Sequence, residues 1–88
     1  MEGTILSRAE ALAEWMRREI AALLEIGPER VPVDLPFDRF GLDSVAVVKL
    51  SASLTDHLRR DIDPVLFYEH PTIGDLAHQL VQLEGGHA

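Results

Sequence analysis

The sequence contains no cysteine, which removes disulfides, thiolate metal sites and a thiol nucleophile from consideration. It is also poor in base, with 8 Lys and Arg against 15 Asp and Glu and a net charge of −7. A nucleic-acid surface needs clustered Lys and Arg, so a DNA- or RNA-binding role is disfavoured, and partners with basic docking patches are expected instead. No run of about 18 apolar residues offers a membrane span. Met1-Glu2-Gly3-Thr4 lacks the basic and apolar regions of a signal peptide, and a cytoplasmic protein is expected. Eighty-eight residues allow one small core and leave no room for a second catalytic domain.

What is present is helical periodicity. Ser7-Arg8-Ala9-Glu10 has the pattern of a capping box, and Ala9, Leu12, Ala13, Met16, Ile20, Leu23 and Leu24 recur on one helical face. The spacing predicts a first helix over 7–26, stopped by Gly27-Pro28 with glycine in the left-handed cap. Trp15 borders the stripe as a core or boundary residue.

Residues 27–43 form a long connector with Pro28, Pro32 and Pro36. Val31, Val33, Leu35 and Phe37 alternate like a strand, but the prolines remove ladder donors and no second strand is available. The connector is expected to lie across the helices, with Phe37 to Phe40 as a short helical turn.

A second helix is predicted over 44–59, with Gly41 permitting a tight turn and Ser44 as N-cap. Val47, Leu50, Ser51, Leu54 and Leu58 share its inward face, leaving Val45, Lys49, Ala52 and Asp56 outward. Asp63-Pro64 opens a short third helix ending at His70-Pro71. Thr72 caps a last helix, in which Ile73, Leu76, Ala77, Leu80 and Val81 form a buried stripe.

Gly41-Leu42-Asp43-Ser44-Val45, at the start of the second helix, resembles the phosphopantetheine attachment site of acyl carrier proteins, and the resemblance runs from about Ile5 to Leu83. Phe67-Tyr68-Glu69-His70-Pro71-Thr72-Ile73 resembles the segment before the final helix in carrier domains of modular polyketide synthases. The implied fold is all-α: a four-helix bundle of the acyl carrier type with a long first loop and a short third helix. It would occupy residues 7–83, between tails at 1–6 and 84–88.

The resemblance implies that a phosphopantetheinyl transferase attaches 4′-phosphopantetheine from coenzyme A to Ser44. The arm's thiol would supply the sulfur that the polypeptide lacks. Asp43 and Leu42 are the further cofactor-site candidates, Asp43 serving either the helix start through its dipole or recognition by the transferase, and Leu42 contacting the arm or partners or else belonging to the core. Val45, Lys49, Ala52, Asp56 and Leu66 (Leu66 alternatively core) would meet partner enzymes: a ketosynthase, an acyltransferase or an acyl-activating ligase. A non-catalytic monomer is expected. Two features depart from the family: Val45 stands where leucine is common, and Lys49, Arg59 and Arg60 oppose Asp56 on a helix that is strongly acidic in bacterial fatty-acid carriers.

A serine hydroxyl acting as nucleophile needs a base, and His57, His70, His78 and His87 are all remote from Ser44 in sequence. They are also too scattered for a metal site. Two other readings compete: a peptidyl carrier of nonribosomal peptide synthesis, in which Gly-Gly-His or Gly-Gly-Asp is more usual before the serine, and an unmodified helical adaptor with the carrier fold.

Overall fold

The computed structural model describes the backbone of residues 2–85 and the side chains of residues 7–82. Four α-helices follow one another: α1 (Glu2–Leu24), α2 (Ser44–Leu58), α3 (Leu66–Glu69) and α4 (Ile73–Gly85). Among the described residues there is no strand. The 23 residues of α1 at about 1.5 Å each give a rod of about 35 Å, which accounts for the molecule's longest dimension of 36 Å. The most extensive helix–helix packing is between α1 and α4, and α2 meets α1 over a smaller area.

The apolar stripes meet where the periodicity places them except at the end of α1. There Leu23, expected on the inward face, is exposed and Ala21 is buried instead, because positions 16, 20 and 21 rather than 23 continue the inward face. Met16, Ile20, Leu50, Leu54, Ile73 and Leu76 are fully buried, and Leu80 nearly so. Ser51 is the one buried polar residue on the inward face of α2, and its hydroxyl donates to the Val48 carbonyl (2.9 Å), which removes the cost of leaving it unpaired. Trp15 is half-buried against the core, and the His57 ring stacks on it at 4.1 Å, tilted by 10°.

Both ends of α1 differ from expectation. The helix begins at Glu2, so Ser7 lies inside it and Ser7-Arg8-Ala9-Glu10 is not a capping box. At the other end the left-handed residue is Glu25 (φ 59°), whereas Gly27 is extended (φ −72°). The Ile26 amide donates to the Ala21 carbonyl (3.0 Å) and the Glu25 amide to the Ala22 carbonyl (3.3 Å). This pair of bonds closes the helix two residues before the glycine can act. At the other end of the chain, α4 continues to Gly85, past the expected tail boundary at 84, and residues 86–88, with His87, lie outside the described residues.

The connector does lie across the helices. It contains two 3₁₀ turns, Pro28–Arg30 and Phe37–Phe40, and drops Val31, Phe37 and Leu42 into the core. Val33 faces outward while its carbonyl accepts from the Gly74 amide (2.8 Å), and the Phe37 amide donates to the Pro71 carbonyl (2.8 Å). These two bonds fasten the connector to the turn between α3 and α4 and to the first turn of α4. A side chain on Gly74 would meet the Val33 carbonyl at 3.3 Å, so a small residue suits this approach. Thr72 caps α4 as expected, its hydroxyl accepting from the Asp75 amide (3.1 Å).

The third helix is shorter than predicted. Asp63, Pro64 and Val65 form a turn, with the Asp63 carboxylate accepting from the Val65 amide (3.0 Å), and regular helix begins only at Leu66.

Candidate functional site

The site is built from the turn that joins the connector to α2. Gly41 adopts φ 88°, ψ 18°, in the left-handed region where a side chain is strained. Its amide and that of Leu42 (3.3 Å) both donate to the Phe37 carbonyl. Leu42 is buried in the core. The turn is thus anchored on one side by a buried leucine and closed on the other by a glycine.

Asp43 then adopts an extended conformation (φ −86°, ψ −179°), and its carboxylate accepts from the Ala46 amide at 2.9 Å. Asp43 is therefore the N-cap, and Ser44, expected in that role, is the first residue of the helix. Both residue types are good caps, but a carboxylate also gains from the positive end of the helix dipole. Folding consequently does not draw on the Ser44 hydroxyl to cap α2. Ser44 is exposed, and the amides of Ser44 and Val45 belong to the first turn, where helix geometry provides no internal partner.

Two depressions flank this turn. One, of about 420 Å³, is lined by Phe37, Leu42, Val47, Phe67 and Tyr68 among others. The other, of about 220 Å³, is lined by Leu23, Asp43, Val45 and Lys49 among others. The first of these is mostly apolar; the second mixes apolar side chains with Asp43 and Lys49.

No catalytic apparatus surrounds the serine among the described residues. His57 lies thirteen residues further along α2, about 20 Å at helical rise, and is stacked on Trp15. His70 closes α3, its amide donating to the Leu66 carbonyl, and His78 is exposed on α4. Among the described residues no three His, Asp or Glu are grouped to hold a metal ion. Nor, among them, is any helix long and apolar enough to cross a membrane.

Val45, Lys49, Ala52 and Asp56 are all exposed on α2, as their spacing predicts. Val45 is 61% exposed and Val48 56%. Val48 is missing from the outward set expected from the sequence, although its place three residues after Val45 and four before Ala52 puts it on the same strip. Leu66 is half-buried against the core; its neighbours Val65 and Tyr68, 47% and 64% exposed, are the outward residues of that segment.

Residues 14–80 match the family described as the phosphopantetheine attachment site. The chain is 34% identical over 68 residues, 77% of its length, to polyketide synthase PksL of Bacillus subtilis. It is 35% identical over 69 residues, 78% of its length, to polyketide synthase ThaG of Burkholderia thailandensis. It spans only 2% and 1% of those two proteins. To the acyl carrier protein TtuC of Teredinibacter turnerae it is 46% identical over 48 residues, 54% of this chain and 55% of that one. Among solved structures, a free-standing peptidyl carrier protein from Acinetobacter baumannii superposes with a TM-score of 0.82 at 29% identity, covering 85% of this chain and 94% of that one. An acyl carrier protein from Anabaena with a variant phosphopantetheinylation-site sequence gives 0.78 at 29% identity, covering 85% of each. A helical bundle that presents an exposed serine outside its own capping bond thus coincides with the matched region, and the chain belongs to the phosphopantetheine-binding carrier family.

Proposed function

We propose that Ser44 is the attachment point and that the chain carries acyl intermediates of a polyketide-type assembly. The observation that carries this reading is the division of labour at the start of α2: Asp43 makes the capping bond, and Ser44 stands exposed beside it. The residues present fit the prosthetic group. A phosphodiester on Ser44 would adjoin the unpartnered amides and positive dipole end of the first turn, conditions that favour an anion. Leu42 and Val47 would border the arm on one side and Val45 on the other.

When bound, 4′-phosphopantetheine supplies a terminal thiol on which an acyl group is held as a thioester. The protein's own part is to keep Ser44 exposed, to fix the direction in which the arm departs, and to offer a docking face. In this reading a separate phosphopantetheinyl transferase moves the group from coenzyme A to the Ser44 hydroxyl in the cytoplasm. Val45, Lys49, Ala52 and Asp56, joined by Val48, meet a ketosynthase, an acyltransferase or an acyl-activating ligase. Leu66, half-buried against the core, would join them through its exposed neighbours Val65 and Tyr68. The carrier unit is taken as residues 7–83.

The polyketide assignment draws on the names of the relatives. The likeness to a free-standing peptidyl carrier supports a second reading, in which the cargo is aminoacyl. Intact-protein mass after incubation with a broad-specificity transferase, coenzyme A and Mg²⁺ tests the attachment. A gain of one phosphopantetheine, absent in Ser44→Ala, is expected. A folded chain left unmodified by two different transferases would instead identify an adaptor that keeps the carrier fold.

A further inference from the structure

Lys49 is the only lysine in the chain; the rest of its 8 Lys and Arg are arginines. The difference is chemical. A guanidinium stays protonated and has no lone pair to offer, whereas a lysine amine that sheds its proton is a nucleophile towards carbonyl carbon. This one side-chain amine stands on α2 five residues after Ser44, about 7.5 Å along the helix axis, and it is exposed. Helical side chains lean towards the N-terminus, which carries the stem of Lys49 back over the turn that begins with Ser44. There it lines the depression of about 220 Å³ together with Leu23, Leu24, Asp43, Val45 and Ala46.

That volume falls below the range of about 300–1,000 Å³ usual for small-molecule sites. It admits a short acyl group, with apolar side chains for the acyl carbons and the Lys49 amine for the carbonyl. An arm rooted on Ser44 would hold its thioester against this amine at an effective concentration on the order of millimolar, with no further binding needed.

We propose, resting on the carrier reading above, that Lys49 takes a short acyl group from the arm of its own chain. The unprotonated ε-nitrogen attacks the thioester carbonyl carbon, an N–C bond forms as the C–S bond breaks, and the proton lost by nitrogen passes to the departing thiolate. The products are an amide on Lys49 and an arm with a free thiol, and no other reactant is consumed. Acylation removes the lysine charge. Cargo that waits undelivered therefore unloads the arm and changes the charge of the face that partner enzymes meet.

The test uses the full chain, loaded on Ser44 from acetyl-coenzyme A by a broad-specificity transferase, freed of excess reagent and incubated. Hydroxylamine then cleaves the remaining thioester and spares amides. Trypsin follows: an acetyl group on Lys49 blocks cleavage there and leaves 40–59 as one fragment carrying both arm and acetyl group. Its formation should be first order, with a rate constant unchanged by dilution. Ser44→Ala in about 10 μM acetyl-coenzyme A should react about a hundredfold more slowly, the ratio of a millimolar tether to that concentration. Lys49→Arg combined with Arg59→Lys keeps one lysine and the net charge but moves the amine to about 22 Å from Ser44 along α2. The displaced amine should react more slowly by about tenfold or more. A loaded chain left without acetyl after hydroxylamine, a rate constant that falls on dilution, or equal rates in Ser44→Ala or for the displaced amine would overturn the proposal and leave the carrier reading standing. A mass showing no arm on Ser44 would overturn the carrier reading and this proposal with it.

Discussion

Replacing Asp43 with Ala should destabilise the fold, whereas replacing the adjacent Ser44 should not. The Asp43 carboxylate makes the side-chain bond that caps α2, at 2.9 Å to the Ala46 amide. Loss of such a cap costs about 1 kcal/mol, and loss of a surface charge at the positive end of the dipole a few tenths more. The total is about 1–1.5 kcal/mol. For a domain of this size that corresponds to a fall of about 5–10 °C in Tm. Ser44 is already inside the helix, and Ala is the better helix former, so Ser44→Ala should stay within about 0.5 kcal/mol of the parent. Asp43→Asn keeps a capping oxygen without the charge and should fall between the two. Thermal and urea unfolding followed by circular dichroism would measure all three. If Ser44→Ala loses as much stability as Asp43→Ala, the serine is the cap and the separation of folding from modification is wrong.

Glu25→Gly should stabilise the protein by about 0.5–1 kcal/mol, because Glu25 holds φ 59° at the end of α1 and a glycine there removes the side-chain strain without touching the two closing bonds. A higher urea midpoint with an unchanged m-value is the expected signature. Gly41→Ala should cost about 1–2 kcal/mol from conformation alone, since φ is +88° but no atom lies within 4 Å of the added carbon. A loss well beyond that in the same unfolding assay would reveal packing that the open surroundings do not suggest.

The inward face of α2 was legible because Val47, Leu50, Ser51 and Leu54 repeat at helical spacing, and all four are buried. The connector was legible because Pro32 and Pro36 rule out a central strand. Single-residue registers were not. Asp43 and Ser44 are adjacent and both chemically suited to cap, so only geometry separates them. Gly27 offered itself as the left-handed residue after α1, but the hydrogen bonds of Glu25 and Ile26 had already closed the helix. The start of α1 was misplaced because a capping pattern at Ser7 also reads as ordinary helix interior. The stack of His57 on Trp15 joins residues distant in sequence and left no local signature.

The fastening of the connector bears on the order of events during synthesis. Val33 and Phe37 find their partners in Gly74 and Pro71, roughly 35–40 residues further along the chain. As the polypeptide leaves the ribosome, Ser44 emerges well before the residues that hold its approach segment in place. Contacts this distant in sequence form only after the intervening chain has been made and the entropy of closing its loop overcome. On the function proposed above, a transferase that recognises the folded turn would meet its target only when the domain is nearly complete. Truncated chains, though they contain the serine, would lack the clamp that presents it.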